Sequence, residues 1–240
     1  MDGFSYSDIF ATKGIEYLII ISFLALLVPF WIILNKQVKL PVKIQKALGF
    51  LSSNILRIPQ GLFYSKNHTW MYMEKSGAAR VGLDDLLMHI TGEVKFSQLK
   101  NPGEMISKGD LLTEIDQNGK LLRILSPVSG KITNINSIIN ENPGILNEDP
   151  YGKGWVYKIK PSNWIEEAKA CYFAEAATNW SANELERFKD FLAVSMKNYA
   201  PEPSMVILQD GGELMDHSLS AFSGEIWKDF EKEFLNLNWL

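Results

Sequence analysis

Eighteen consecutive uncharged residues, Tyr17 to Leu34 (YLIIISFLALLVPFWIIL), constrain this chain more than any other stretch. A hydrocarbon layer about 30 Å thick needs roughly 20 helical residues at about 1.5 Å each, and reaching back to Gly14 supplies the length. Both faces of such a helix are apolar, so no polar stripe remains to meet water, and the run reads as a membrane span rather than as a core helix. The residues ahead of it are acidic, and it ends at Asn35-Lys36 without an Ala-x-Ala site, which indicates a retained anchor and not a cleaved leader. Pro29 frees a backbone carbonyl inside the span, and a carbonyl in lipid seeks a partner such as another membrane subunit.

Charge is segregated around this span. Residues 1–16 carry a net −2, residues 17–73 a net +6 with no acid, and residues 74–240 a net −8, together the −4 of the whole chain. Lys36, Lys39, Lys43 and Lys46 directly follow the span, whereas only Lys13 precedes it. The positive-inside bias therefore places the N-terminus outside and the large C-terminal part in the cytoplasm, at the inner membrane. The lone Cys171 forms no internal disulfide, in keeping with a reducing compartment. The acidic body excludes a general nucleic-acid binder, and the composition excludes a disordered tail or a disulfide scaffold. Residues 36–60 read as a basic juxtamembrane segment: Val42, Leu48, Leu51 and Ile55 among lysines form either an amphipathic helix on anionic lipid or a solvated linker.

From Gly61 the texture changes. MYMEKSGAARVGL reads as strand, Ser-Gly turn, strand; LLTEIDQNGKLLRIL as strand, Asn118-Gly119 turn, strand; GKITNINSII and GWVYKIKP as further strands. LDDLLMHITG has Leu83, Leu86, Leu87 and Ile90 at helical spacing and ends on Gly92. The expected architecture is a mainly β sandwich or flattened barrel with one short internal helix. NWIEEAKACYFAEAATNW and SANELERFKDFLAVSMKNY follow as helices, with Ser181 and Glu184 spaced as a capping box.

YSKNHTW at 64–70, VGLDDLLMHITGEVKFSQL at 81–99, NPGEMISKGD at 101–110, SPVSGKITNIN at 126–136 and NEDPYGKGWVYKIKPSNW at 147–164 resemble the glycine cleavage H-protein family, a relative of lipoyl domains. The likeness covers residues 61–197. It implies a hybrid barrel-sandwich with flanking helices, in agreement with the strand pattern, here preceded by one transmembrane helix. Gly130 and Gly152 are expected to supply turn dihedrals, and Pro127 and Pro150 to stiffen their approaches.

The resemblance also implies lipoic acid, bound through an amide to a lysine at a hairpin tip and swinging between partner enzymes. In the family pattern that lysine precedes the Ser-Pro-Val-Ser-Gly run by seven positions. Here that count from Ser126 lands on Gly119, and Lys120 stands one residue late, in the context Asp116-Gln117-Asn118-Gly119-Lys120-Leu121. An Asn-Gly turn holds a two-residue hairpin, and successive strand side chains face opposite ways, so one position reverses the direction of the amine unless a bulge restores it. Lys120 is thus either the lipoyl attachment site or an ordinary lysine beside a turn.

Other candidates point to structure rather than catalysis. His68, His89 and His217 lack the spacing of a metal site, and His68 is expected to pack. Asp84-Asp85 suit the positive end of a helix. Cys171 has no partner thiol or basic motif, and Asp210-Gly211-Gly212 reads as a turn. No nucleophile and base pair, metal ligand set or small-molecule site stands out. Residues 198–240 begin with Pro201-Glu202-Pro203, contain one strand, and end in a helix whose stripe of Ile226, Phe230, Phe234 and Leu237, with Trp227 and Trp239, covers either the chain's own domain or a partner.

Two functions follow. One is a non-enzymatic accessory subunit, anchored in the bilayer, that docks other subunits of a membrane complex through an H-protein-like domain without lipoate. Small single-span subunits of this kind suit respiratory or other electron-transfer assemblies. The other is a membrane-tethered lipoyl carrier modified on Lys120.

Overall fold

The computed structural model describes residues 13–35, 49–199, 208–209 and 213–235. Lys36, Lys39, Lys43, Lys46, Val42, Leu48, Pro201-Glu202-Pro203, Asp210-Gly211-Gly212, Leu237 and Trp239 lie outside these residues. The chain divides into two compact units, residues 1–41 and 42–240. The first contains helix α1 (Lys13–Asn35), which runs through Pro29 and, over Gly14–Trp31, is long and apolar enough to cross a membrane. An all-round apolar surface on a helix of this length suits lipid, where every backbone group must be satisfied within the helix itself.

The second unit is built on antiparallel hairpins. β2 (Phe63–Tyr64), β3 (Thr69–Met73) and β4 (Ala79–Leu83) meander into a seven-stranded sheet completed by β6 (Met105–Ile106), β9 (Gly130–Ile135), β10 (Trp155–Pro161) and β11 (Tyr172–Phe173), in the order β11-β2-β3-β4-β10-β9-β6. A second sheet has the order β5-β7-β8, with β5 at Lys95–Gln98, β7 at Leu111–Gln117 and β8 at Lys120–Leu125. Val81, Ile132, Tyr157 and Ile159 of the first sheet and Ile115, Leu122 and Ile124 of the second are fully buried in one continuous apolar cluster, the core of the sandwich.

Helix α2 (Asp85–Thr91) starts where the sequence places it. Asp84 caps it, its Oδ1 accepting from the Leu87 amide at 2.8 Å, and Gly92 ends it at a φ of 75°. Two one-turn helices, α3 (Ile138–Glu141) and α4 (Ile145–Glu148), lie before β10, and the family-like run 147–154 is a clamp on α2. Asn147 donates to the Met88 and Gly92 carbonyls, the Tyr151 hydroxyl accepts from the Asp85 amide at 2.9 Å, and Asp149 accepts from the amides of Gly152 and Lys153. Gly130 and Gly152 do not adopt the left-handed dihedrals expected of them. Their constraint is space: a Cβ on Gly130 would strike the Lys160 carbonyl, and one on Gly152 the Asp149 carboxylate.

Three stretches depart from their local pattern. Residues 49–60 hold no helix among the described positions; β1 (Phe50–Leu51) pairs with β13 (Glu213–Met215), and Leu51 is buried in the core. The segment after α5 (Trp164–Lys169) leaves helix to place β11 on β2, with Tyr172 opposite Tyr64, because the sheet edge supplies backbone partners there. Helix α6 (Glu175–Tyr199) then runs unbroken, so Ser181 and Glu184 are buried on its inner face and form no capping box. Ala177, Trp180, Glu184, Phe188 and Phe191 make one inward stripe, and Trp180 stacks on Tyr172 with centroids 5.1 Å apart.

The C-terminal stripe covers the chain's own domain. β12 (Leu208–Gln209) and β13 extend β1 into a small third sheet, a 3-10 turn (Ser218–Ala221) follows, and α7 (Gly224–Phe230) continues through one π turn (Glu231–Leu235). Phe230 and Phe234 stack at 4.8 Å and meet Phe188 and Phe191 of α6 edge-on, at 5.6 to 6.1 Å. Ile226, Trp227, Phe230, Phe234 and Leu235 are all buried in the same core as the sandwich. At roughly 1.5–3 kcal/mol for each large apolar side chain removed from water, their gross contribution rivals the net stability of a whole domain, about 5–15 kcal/mol. Phe230→Ala is accordingly expected to destabilise the folded unit by about 3–5 kcal/mol in denaturant unfolding, whereas Lys228→Ala on the exposed side should stay within about 0.5 kcal/mol of the parent.

Candidate functional site

The β7–β8 hairpin turns on Asn118 (φ 54°) and Gly119 (φ 84°), a pair of left-handed residues that Asn-Gly accommodates with little strain. Pairing is in register from Gln117↔Lys120 through Thr113↔Ile124, and the irregularity in this ladder lies at the far end, between Leu111 and Thr113. No bulge therefore re-aims the tip. Lys120 is the first residue of the return strand, and period-two alternation puts it on the same face as the fully buried Leu122 and Ile124.

The Lys120 amine follows that direction into the C-terminal segment. Its Nζ donates to the Ser220 carbonyl at 2.8 Å and lies 5.5 Å from the centre of the Trp227 ring, a cation–π contact. Trp227 is itself fixed by its Nε1 donating to the Leu219 carbonyl at 2.8 Å. Burial lowers the Lys120 pKa below the ordinary lysine value. Beside it, between β8 and α7, runs a groove of about 990 Å3 lined by Leu111, Leu121, Leu125 and Trp227 and by the charged Asp110, Arg123, Lys228, Glu231 and Lys232. Arg123 pairs with Glu231 at 2.6 Å across it.

Two residues that sequence reasoning did not single out, Arg57 and Asp216, join Asp85 and His89 to hold this arrangement. Arg57 grips the buried Asp85 through its backbone amide and Nε, at 2.8 and 2.9 Å. Asp85 also faces His89 Nε2 at 3.4 Å, and His89 Nδ1 meets Asp216 at 2.8 Å. This chain of alternating charge ties α2 to the segment that supplies Ser220. Burial opposes charge on His89, but its hydrogen bonds to Asp216 and Asp85 outweigh that and raise its pKa to about 9. Burial likewise opposes ionisation of Asp85, and His89 and Arg57 hold it below the usual carboxylate value. Asp85 and His89 stand four residues apart on a helix, a signal the sequence carried; Asp216 lies too far along the chain to be paired by spacing.

The remaining candidates are structural. His68 is fully buried in the left-handed region, its Nδ1 2.8 Å from Asp84 and its ring against Trp180. Asp84 thereby caps α2 with one oxygen and meets His68 with the other. Burial raises the Cys171 thiol pKa and disfavours the thiolate. His217 is exposed at the entry to the 3-10 turn. Among the described residues no group of three His, Cys, Asp or Glu side chains could hold a metal ion.

Comparison with known proteins places this scaffold. The glycine cleavage H-protein family profile matches residues 62–183, half of the chain. The chain belongs to the glycine cleavage H-protein family. It is 36% identical over 120 residues to a probable glycine cleavage system H protein of Thermococcus gammatolerans, covering 50% of this chain and 89% of that protein. It is 33% identical over 122 residues to the glycine cleavage system H protein of Psychrobacter cryohalolentis, covering 51% and 96%. A crystal structure of a glycine cleavage system H protein from Mycobacterium marinum shares 25% identity at a TM-score of 0.45, covering 54% of this chain and 99% of that one. The family match takes in the β7–β8 hairpin and ends inside α6. Ser220, Trp227 and Asp216, which engage Lys120 and His89, all lie beyond it.

The His89 latch gives a signed pH dependence. Its folded pKa lies above the unfolded value of about 6.5, so its contribution is complete below that pH and is lost as pH rises toward about 9. The melting temperature of the parent should therefore exceed that of His89→Gln at pH 6 and converge with it by pH 10, followed by thermal denaturation across that range.

Proposed function

We propose that this chain is a non-enzymatic accessory subunit, anchored in the inner membrane by α1, whose H-protein domain docks other subunits of a membrane complex on the cytoplasmic side. The observation that carries the reading is the placement of Lys120. Gly119 stands where the family pattern has the lipoyl lysine, and the adjacent amine, half-buried at the groove, is held by Ser220 and Trp227. A swinging arm needs a free, solvent-facing amine within reach of a ligase and of the partner enzymes. Attachment of lipoate at Lys120 would replace its ammonium by a neutral amide, which removes the positive charge from the Trp227 face and leaves a single N–H to reach the Ser220 carbonyl, so the present contacts favour the unmodified side chain. The apolar helix supports the anchor, and the lysines that follow it support the cytoplasmic side. Anchoring raises local concentration only toward partners that share the membrane, which favours a fixed assembly over a diffusing shuttle.

Family membership supports a second reading, a membrane-tethered lipoyl carrier modified on Lys120 that shuttles intermediates between partner enzymes. Intact-mass measurement of the full chain purified from its native membranes separates the two. The docking reading expects the mass of the unmodified chain in the membrane fraction; a lipoyl adduct mapped to Lys120 by peptide sequencing would establish the carrier instead.

A further inference from the structure

We infer that the groove between β8 and α7 is the docking surface itself, and that its occupant is an acidic, amphipathic segment of a partner protein. This deepens the docking role proposed above and rests on it. Three observations carry the choice of occupant. First, the groove concentrates positive charge on a body that is otherwise acidic: residues 74–240 sum to −8, yet Arg123, Lys228 and Lys232 line this one cleft. Arg123 is paired with Glu231, while Lys228 and Lys232 are exposed and make no ion pair among the described residues. They stand about one turn apart on the same side of the C-terminal helix, an exposed track of two ammonium groups. Second, Leu111, Leu121 and Leu125 supply an apolar strip alongside that track, and Leu121 is half exposed although it sits in a β-strand. A row of aliphatic side chains beside a row of cations is the complement of a segment that presents apolar anchors flanked by carboxylates. Third, the surface is concave and also carries Asp110 and Glu231. A lipid bilayer presents a broad flat surface that does not enter such a cleft, whereas a polypeptide segment does, and Glu231 is already neutralised by Arg123.

The groove is formed jointly by the family hairpin and the C-terminal segment beyond the family match, so the added segment both holds Lys120 and builds the second wall of the cleft.

The test uses the full chain in its native membranes, with a photocrosslinking amino acid at Leu121. The expected result is a crosslink whose peptide, sequenced by mass spectrometry, carries at least two Asp or Glu flanking apolar side chains of another protein. Combining it with Lys228→Glu and Lys232→Glu should lower the yield at least tenfold at an unchanged melting temperature, and replacing two acids of the mapped segment by Lys should restore it. A crosslink to phospholipid, to a basic or neutral segment or to nothing, or a yield insensitive to the charge reversal, overturns the inference. The two readings fail separately: a lipoyl adduct on Lys120 removes the accessory role whatever Leu121 captures, and an empty Leu121 crosslink on an unmodified chain removes the groove alone.

Discussion

Register in the β7–β8 hairpin is locked at its tip by Asn118 and Gly119, both left-handed, and every side chain along β8 inherits its direction from that turn. Strand geometry allows no intermediate choice, because neighbouring residues point to opposite faces. With the turn where it is, Leu122 and Ile124 enter the core, Lys120 lies half-buried against Ser220 and Trp227 at the groove, and Leu121 and Arg123 are left outside to line it. Lengthening the turn by one residue with β7 in place would exchange these two sets, burying a guanidinium and exposing the core leucine. The position of one amine is thus a by-product of the packing of the whole second sheet.

That amine has somewhere to go because the C-terminal segment has been built into the domain. Two dissimilar contacts hold it there. The ring cluster of Phe188, Phe191, Phe230 and Phe234 supplies the bulk of the apolar burial, and the polar chain from Arg57 through Asp85 and His89 to Asp216 fixes where the preceding turn lies against α2. The first is non-directional and large, the second directional and dependent on protonation. Together they place a backbone carbonyl, that of Ser220, within hydrogen-bonding distance of Lys120.

Much of this was legible in the residue order. The apolar run that forms α1, the hairpins at Ser76-Gly77 and Asn118-Gly119, and α2 with its Asp84 cap and Gly92 stop all follow from local patterns that tertiary packing reinforces. The departures share a cause, which is a partner distant in the chain. Tyr172-Phe173 lies in a helix-like composition and becomes a strand because β2 offers an edge; Ser181 and Glu184 match a capping box and become interior because Trp180 must reach Tyr172 and Tyr64. Gly130 and Gly152 look like turn glycines and are instead places where two chain segments touch. At the candidate site the displacement of Lys120 could be counted from the Ser-Pro-Val-Ser-Gly run, but the carbonyl that receives it belongs to a serine whose side chain gives no hint of the role.

The core of the folded unit is closed by Phe230 and Phe234, which lie at the far end of the chain from α1. During synthesis the apolar helix leaves the ribosome first, and the sandwich cannot complete its packing until the last aromatic residues have been added, on the order of tens of seconds later at about 5–20 residues per second. Over that interval Leu185, Phe188 and Leu192 of the half-made domain are uncovered. Exposed apolar side chains of this kind are the surfaces through which unfinished domains aggregate, so the late arrival of two phenylalanines sets the length of the hazard as well as the stability of the finished fold.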